Sequence, residues 1–289
     1  WCPGCGDHAV LTAVQRICRD EQLPPEKTIC VSGIGCSSRM PHYMKTYGFH
    51  GLHGRALPVA CGIKARRPDL TVWVATGDGD CCSIGAAHWI HAVRYNMDMV
   101  VLLFNNNIYG LTKMQSSPTT PPGYSTNTHH HGSPLPAMNP SSVTLGFTNV
   151  SFVAQTVDWN PAHVYETVKR AYQHKGLSFV HIMQRCPEYT EDIYEGPRDD
   201  PDKMLLLEHD NGIALPDPIG KMYKNHAVHD PSDLNAARAM ADHEERIPIG
   251  LLFQDESRPN YCDYTRQGVD MTTEQRLAGM ERVLDTLAI

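Results

Sequence analysis

At 289 residues, 41% of them apolar, the chain carries enough hydrophobic side chain for one large core or two modest ones, which excludes disorder and a small disulfide-stapled scaffold. Its 25 Lys and Arg against 32 Asp and Glu leave a net charge of −7, so neither a nucleic acid nor an anionic membrane is expected as its main partner. The longest near-continuous apolar stretch, residues 97–104, is interrupted by Asp98 and falls far short of the roughly 20 residues that a membrane span needs.

In chain order, Val10, Val14 and Cys18 recur every four residues after Gly6-Asp7, which predicts an amphipathic helix with Asp7 at its cap. Residues 28–32 are β-branched and empty into Gly33 and Gly35, as a buried strand ending in a tight turn does. Residues 57–67 read as a helix stopped before Pro68, and residues 70–76 as an apolar strand ending in Gly77-Asp78-Gly79-Asp80. A helix over 83–96 and a strand over 99–104 follow, the strand ending in Asn105-Asn106-Asn107. A strand over 151–157, a helix opened by Pro161 and closed by Gly176, and a strand over 177–183 complete the regular part. Beyond Pro187 the text is charged and Pro-rich, with one more short strand expected at 247–253 and a last helix at 272–287. The expectation is an α/β fold: a doubly wound, mostly parallel sheet with helices on both faces. The Gly-rich and Asn-rich segments all fall at strand C-termini, where such sheets bind ligands.

The turn at 77–80 places backbone N–H groups at a helix start, where phosphate oxygens dock. It resembles a dinucleotide fingerprint only in part, because Cys82 stands where the third glycine belongs, and this weighs against NAD or FAD. Asp78 would repel a bare diphosphate unless a hard cation lay between them, and Mg²⁺ prefers such oxygen ligands. Asn106, at the end of the next strand, is placed to complete that site; a helix-capping Asp and an Asn-rich turn remain the alternative. Ten cysteines are sparse for a secreted scaffold and oddly placed for disulfides, so a reducing compartment is expected. Cys2-Pro3-Gly4-Cys5 puts two thiolates on one turn and Cys36 follows a strand end, a spacing that suits iron or zinc. Cys18, Cys30 and Cys61 read as packing residues, and Cys81-Cys82 at a helix start are candidates for lowered thiol pKa values without an assigned role. His129, His130 and His131 lie in a loop with no second ligand cluster and read as solvated.

The words HGRALPVACGIK (53–64), GDGDCCSIGAAH (77–88) and NNNIYGLTKMQSSPTT (105–120), with HDPSD (229–233) and IPIG (247–250), resemble the thiamine-diphosphate-binding β subunit of 2-oxoacid:ferredoxin oxidoreductases, most nearly the 2-oxoglutarate type. The resemblance implies a sheet of the thiamine-diphosphate-binding type over residues 1–186 and a C-terminal extension over 187–289 packed on the core and a partner. It implies Asp78, Asn106 and the Ile108 carbonyl as Mg²⁺ ligands. Cofactor contacts would come from Ile34, Gly35, Cys36, Ser37, Gly79, Asp80, Gly110 and Leu111. His53 would lie near the reacting centre, or else cap the helix after it. A four-iron, four-sulfur (4Fe–4S) cluster would be held by Cys2, Cys5, Cys36 and Cys186. Lys113 would offer its ammonium to the distal carboxylate of 2-oxoglutarate, with Arg39 as a second candidate, although Met114 replaces the Gly usual after that Lys. The implied reaction is coenzyme A-dependent oxidative decarboxylation, with electrons leaving singly through the cluster to ferredoxin, reversible toward carboxylation. The implied partner is an α subunit, in some cases fused to a γ domain, and the implied location is cytoplasmic. A pyruvate or broad-specificity enzyme of the same family and a zinc-stabilised α/β binding subunit are the alternatives.

Overall fold

The computed structural model describes every residue except 211, 214, 217–219, 244, 267–270 and 289. Its frame is a nine-stranded sheet, ordered β10-β9-β11-β7-β8-β4-β3-β1-β2. The strands are β1 (Thr28–Ser32), β2 (Tyr47–His50), β3 (Thr71–Gly77), β4 (Met99–Asn105), β7 (Phe152–Val157), β8 (Leu177–Met183), β9 (Met204–Glu208), β10 (His226–Val228) and β11 (Ile247–Gln254), while β5 (Ile108–Tyr109) and β6 (Gln115–Ser116) form a separate hairpin. All neighbours in the large sheet run parallel except β11 against β7. Three strands from the C-terminal third thus continue the sheet instead of lying outside it.

Strands β3, β4 and β8 are nearly continuous apolar text because both their faces are covered. Alternate side chains separate cleanly. Val72, Val74, Val101 and Leu103 pack beneath α2 (Ala56–Arg66) and α3 (Ala86–Tyr95), with α4 (Pro140–Leu145) beside them. Trp73, Ala75, Leu102 and Phe104 pack against α1 (Asp7–Asp20) and α5 (Pro161–Gln173), whose Val10, Val14, Val164 and Val168 face inward. The doubly wound, mostly parallel fold expected from the alternation is therefore present.

Several local expectations change. Gly6, not Asp7, occupies the cap of α1, and Asp7 is the first helical residue with its carboxylate wholly buried. Burial pushes that carboxyl up to about 7, against an opposing contact with the Cys5 thiol. The helix expected from Ser83 is preceded by a π-turn, Asp80–Ile84, and begins at Ala86, ending at Asn96 in the left-handed conformation. Cys81 and Cys82 are buried in that turn, and the Cys82 thiol is pushed up, not down, by the Cys81 thiol and by burial. Strands β2, β9 and β10 and the helix Leu234–Ala241 were not expected; Asp233 caps that helix through Asn235 N and Ala236 N. The helix Thr273–Leu287 starts at a full capping box on Thr272 and Gln275.

Candidate functional site

The C-terminal ends of β1, β3, β4 and β8 open into two adjoining cavities. The first, of about 210 Å³, is walled by Ile34, Gly35, Ser37, His53, Asp78 and Ile108 with the turns that carry them. The second, of about 660 Å³, is walled by Cys2, Cys5, Cys36 and Cys186 together with Arg39 and Lys113. Cys36, Asn106, Gly110, Leu111 and Gln184 line both, so these residues form the partition between them.

In the first cavity Asp78 and Asn106 project from the ends of adjacent parallel strands, in register through Gly77 and Phe104. Asp78 is 2% exposed, and its Oδ2 accepts from the Thr119 hydroxyl at 2.7 Å. Burial pushes its carboxyl up to about 6, against the opposing effect of the Ser117 and Thr119 hydroxyls. Asn106 Oδ1 accepts from Ile108 N at 3.2 Å. The carboxylate, the amide oxygen and the Ile108 carbonyl make an all-oxygen donor set of the kind that Mg²⁺ takes, and a cation there would keep the buried carboxyl ionised. Among the described residues Ser37 Oγ is buried without a hydrogen-bond partner, and Gly35, at φ +141°, leaves the space where a Cβ would stand empty. Gly79 allows the Tyr109 ring to lie flat against the turn: a Cβ there would fall 2.2 Å from Tyr109 Cε1, and the Tyr109 hydroxyl donates to Gly79 O at 3.1 Å. A buried hydroxyl without a partner among the described residues, an open turn and hard oxygen donors fit a Mg²⁺-diphosphate group.

Asp80 also lines this cavity, yet its carboxylate is already engaged. It accepts from Ile34 N at 3.1 Å, Gly54 N at 2.6 Å, His53 Nδ1 at 2.7 Å and the Thr76 hydroxyl at 2.7 Å. It joins the turn after β1 to the His53-Gly54 loop, and it holds His53 through Nδ1, which leaves Nε2 outside that contact. His53 therefore binds Asp80 rather than capping α2, whose cap position is Arg55. Behind Asp78, Thr119 also bonds Asn105 Oδ1 at 2.8 Å, and Asn105 Nδ2 donates to His181 Nε2 at 2.9 Å. Burial lowers His181 to about 3, which keeps the ring neutral and this relay fixed.

In the second cavity all four cysteines singled out from the sequence meet. Burial pushes the Cys36 thiol up to about 12 and raises Cys5 and Cys186, and each of these three senses at least one of the other cluster-candidate thiols. Without metal these thiols hold their protons, so metal binding would release them. Among the described residues no three His, Cys, Asp or Glu side chains are placed to hold a single metal ion. All four cysteines line this one cavity, and four thiolates are the donor set that a 4Fe–4S cluster or a tetrahedral zinc takes. Trp1 closes this cavity, its indole N–H donating to Cys36 O at 2.6 Å and its ring lying 4.6 Å from that of Tyr43.

Arg39 and Lys113 are exposed and border the cysteine cavity, not the Asp78 cavity, next to the shared partition. Lys113 and Met114 stand at φ +73° and +72°, so the backbone keeps at Met114 a conformation that glycine takes without strain. Thr119, Tyr109 and Gln184 were missed as individual residues: the first two lie inside the NNNIYGLTKMQSSPTT word, while Gln184 carries no motif at all.

The "Thiamine pyrophosphate enzyme, C-terminal TPP binding domain" family matches residues 33–182, and the family of the C-terminal region of the pyruvate ferredoxin oxidoreductase beta subunit matches residues 219–267. The chain is 42% identical to the 2-oxoglutarate oxidoreductase subunit KorB of Mycobacterium tuberculosis, over 74% of this chain and 58% of that protein, so it spans less than two thirds of that relative. It is 40% identical to the 2-oxoglutarate synthase subunit KorB of Methanocaldococcus jannaschii, over 91% and 90% of the two chains. It is 35% identical to the 2-oxoacid:ferredoxin oxidoreductase subunit beta of a Sulfolobus species, over 99% and 93%. Among solved structures, the 2-oxoglutarate:ferredoxin oxidoreductase from Magnetococcus marinus, with 2-oxoglutarate, coenzyme A and succinyl-CoA bound, superposes with a TM-score of 0.80 at 36% identity over 96% and 91%.

Proposed function

Because the chain belongs to the β subunits of the 2-oxoacid:ferredoxin oxidoreductases, we propose that it binds thiamine diphosphate with Mg²⁺ in the first cavity and a 4Fe–4S cluster in the second, and serves the CoA-dependent oxidative decarboxylation of 2-oxoglutarate to succinyl-CoA and CO₂. The observation that carries this reading is the shared partition: Cys36, Asn106, Gly110, Leu111 and Gln184 line both cavities, so these residues would separate a group held in one from a group held in the other.

Thiamine diphosphate supplies a nucleophilic carbon and an electron sink when bound. Asp78, Asn106 and the Ile108 carbonyl hold the cation, and the Thr119 hydroxyl orients Asp78. The turns at Ile34–Ser37, Gly79-Asp80 and Gly110-Leu111 offer backbone N–H groups to the cofactor, while Asp80 acts as the brace of this wall. His53, locked on Asp80, presents Nε2 as a proton acceptor at the cavity wall. Lys113 and Arg39 offer positive charge at the open rim to the second carboxylate of 2-oxoglutarate, a group that pyruvate lacks. Cys2, Cys5, Cys36 and Cys186 hold the cluster.

The membership in a β-subunit family implies an α partner, with ferredoxin taking the electrons. Residues 1–186 then form the cofactor-holding core, and residues 187–289 the extension that completes the sheet edge and meets the partner. The sparse cysteine content, ten in 289 residues, fits a reducing, cytoplasmic setting, and none of the described helices is long and apolar enough to cross a membrane. Iron, sulfide and thiamine analysis of the anaerobically purified, assembled enzyme tests this. About four irons and four sulfides per chain, with one thiamine diphosphate, are expected; colourless protein with one zinc contradicts it.

A further inference from the structure

Gln184 follows β8 directly and is 2% exposed. Gln184 N donates to Asn105 O at 2.9 Å, which anchors its backbone at the end of β4. That side chain lines both cavities, and its amide Nε2 donates to Cys5 Sγ at 3.4 Å and to Arg185 O. The next carbonyl, Arg185 O, accepts from Gly6 N at 3.3 Å, and Arg185 is held by the buried Asp158 carboxylate at 3.0 Å. The Cys2–Cys5 turn is thereby tied to the residues after β8 at fixed spacing. Backbone amides also reach these sulfurs, that of Asp7 at Cys5 and those of Glu188, Tyr189 and Thr190 at Cys186, and the Asp7 carboxyl contacts the Cys5 thiol, while Gln184 brings a side-chain amide to Cys5.

We propose that Gln184 sets the reduction potential of the cluster held by Cys2, Cys5, Cys36 and Cys186, by donating its side-chain amide hydrogen to the Cys5 sulfur. The inference rests on the cluster reading above. A hydrogen bond to a ligating thiolate withdraws charge from the sulfur and stabilises the more negative, reduced cluster, so it raises the potential. Gln184 is a tuning residue, acting through Cys5. Its place in the partition puts this donor on the wall that the cysteine cavity shares with the Asp78 cavity.

The test is an EPR-monitored redox titration of the anaerobically assembled enzyme, wild type against Gln184→Met and Gln184→Glu, with iron and sulfide measured on the same samples. Met keeps the side-chain length and removes the donor; Glu keeps the shape and replaces the donor with an acceptor. Both variants are expected to hold the wild-type iron and to titrate at lower potential, by about 59 mV where the reduced-to-oxidised ratio at fixed poise falls tenfold. If Gln184→Met fails to load its cluster, the isosteric Gln184→Glu decides by the same shift. Loaded variants with an unmoved potential overturn the proposal alone. Wild-type protein without iron overturns the cluster reading and this proposal with it.

Discussion

Replacing Asp80 by Ala separates a brace from a ligand. The carboxylate accepts four hydrogen bonds, and two of the donors, Gly54 N and the Thr76 hydroxyl, are buried. Removing the acceptor leaves both without a partner, at about 1–3 kcal/mol each, or about 2–6 kcal/mol together. The Ile34 N–H and the His53 ring are partly exposed and recover water, so they add little. In a chain of this size about 1 kcal/mol moves the melting point by roughly 2–4 °C, which sets the expected drop at no less than about 4 °C. The assay is a pair of thermal melts at one scan rate on cofactor-free protein, with Asp80→Asn alongside. Asn keeps one acceptor oxygen and should recover part of the loss. If cofactor-free Asp80→Ala melts with wild type and only thiamine diphosphate affinity falls, Asp80 is a ligand and the bracing argument is refuted.

Three further outcomes follow from the same geometry. Asp78→Ala should abolish thiamine diphosphate retention, by well over the roughly 10–100-fold that loss of an outer-shell partner costs, while iron content stays unchanged, as cofactor and iron analysis will read. His163 is buried, bonded to Thr156 at 2.7 Å, and lowered by burial to about 3. The unfolded chain therefore binds a proton there from about pH 6.5 downward that the folded chain refuses, so its contribution is complete above pH 6.5 and is lost as the pH falls toward 3. Relative to His163→Gln, wild type should lose about 2 kcal/mol between pH 7 and pH 5 in urea titrations. Lys113→Ala should raise KM for 2-oxoglutarate about tenfold or more with pyruvate kinetics unchanged, since only the former offers a distal carboxylate.

The core of the fold was legible because β3, β4 and β8 are covered on both faces and so leave unbroken apolar runs, with helical periodicity between them. Strand β2 left no such trace: Tyr47, Gly48, Phe49 and His50 sit at the sheet edge with every side chain exposed, so no buried face imposes alternation. Strands β9 and β10 are short, and what recruits them is β11 pairing backward onto β7, a long-range contact that no local pattern encodes. In the site, the convergence of Asp78 and Asn106 on one cavity was legible because both end strands of a parallel sheet, while the meeting of Cys2, Cys5, Cys36 and Cys186 in the second cavity was expected from the family resemblance. Asp80 was readable as a wall residue but not as a hub, since its four donors come from three separate segments. Thr119 and Gln184 act through Asp78 and Cys5, and a single hydroxyl or amide in ordinary text announces neither role.

The most direct test of coupled cofactors serving a dicarboxylic oxoacid is anaerobic, CoA-dependent viologen reduction by this chain assembled with its native partner, with 2-oxoglutarate and pyruvate compared at equal concentration. Faster reduction with 2-oxoglutarate is expected. Preference for pyruvate would contradict the roles given to Lys113 and Arg39, and no reduction with any 2-oxoacid by an enzyme loaded with both cofactors would contradict the coupling across the shared partition itself.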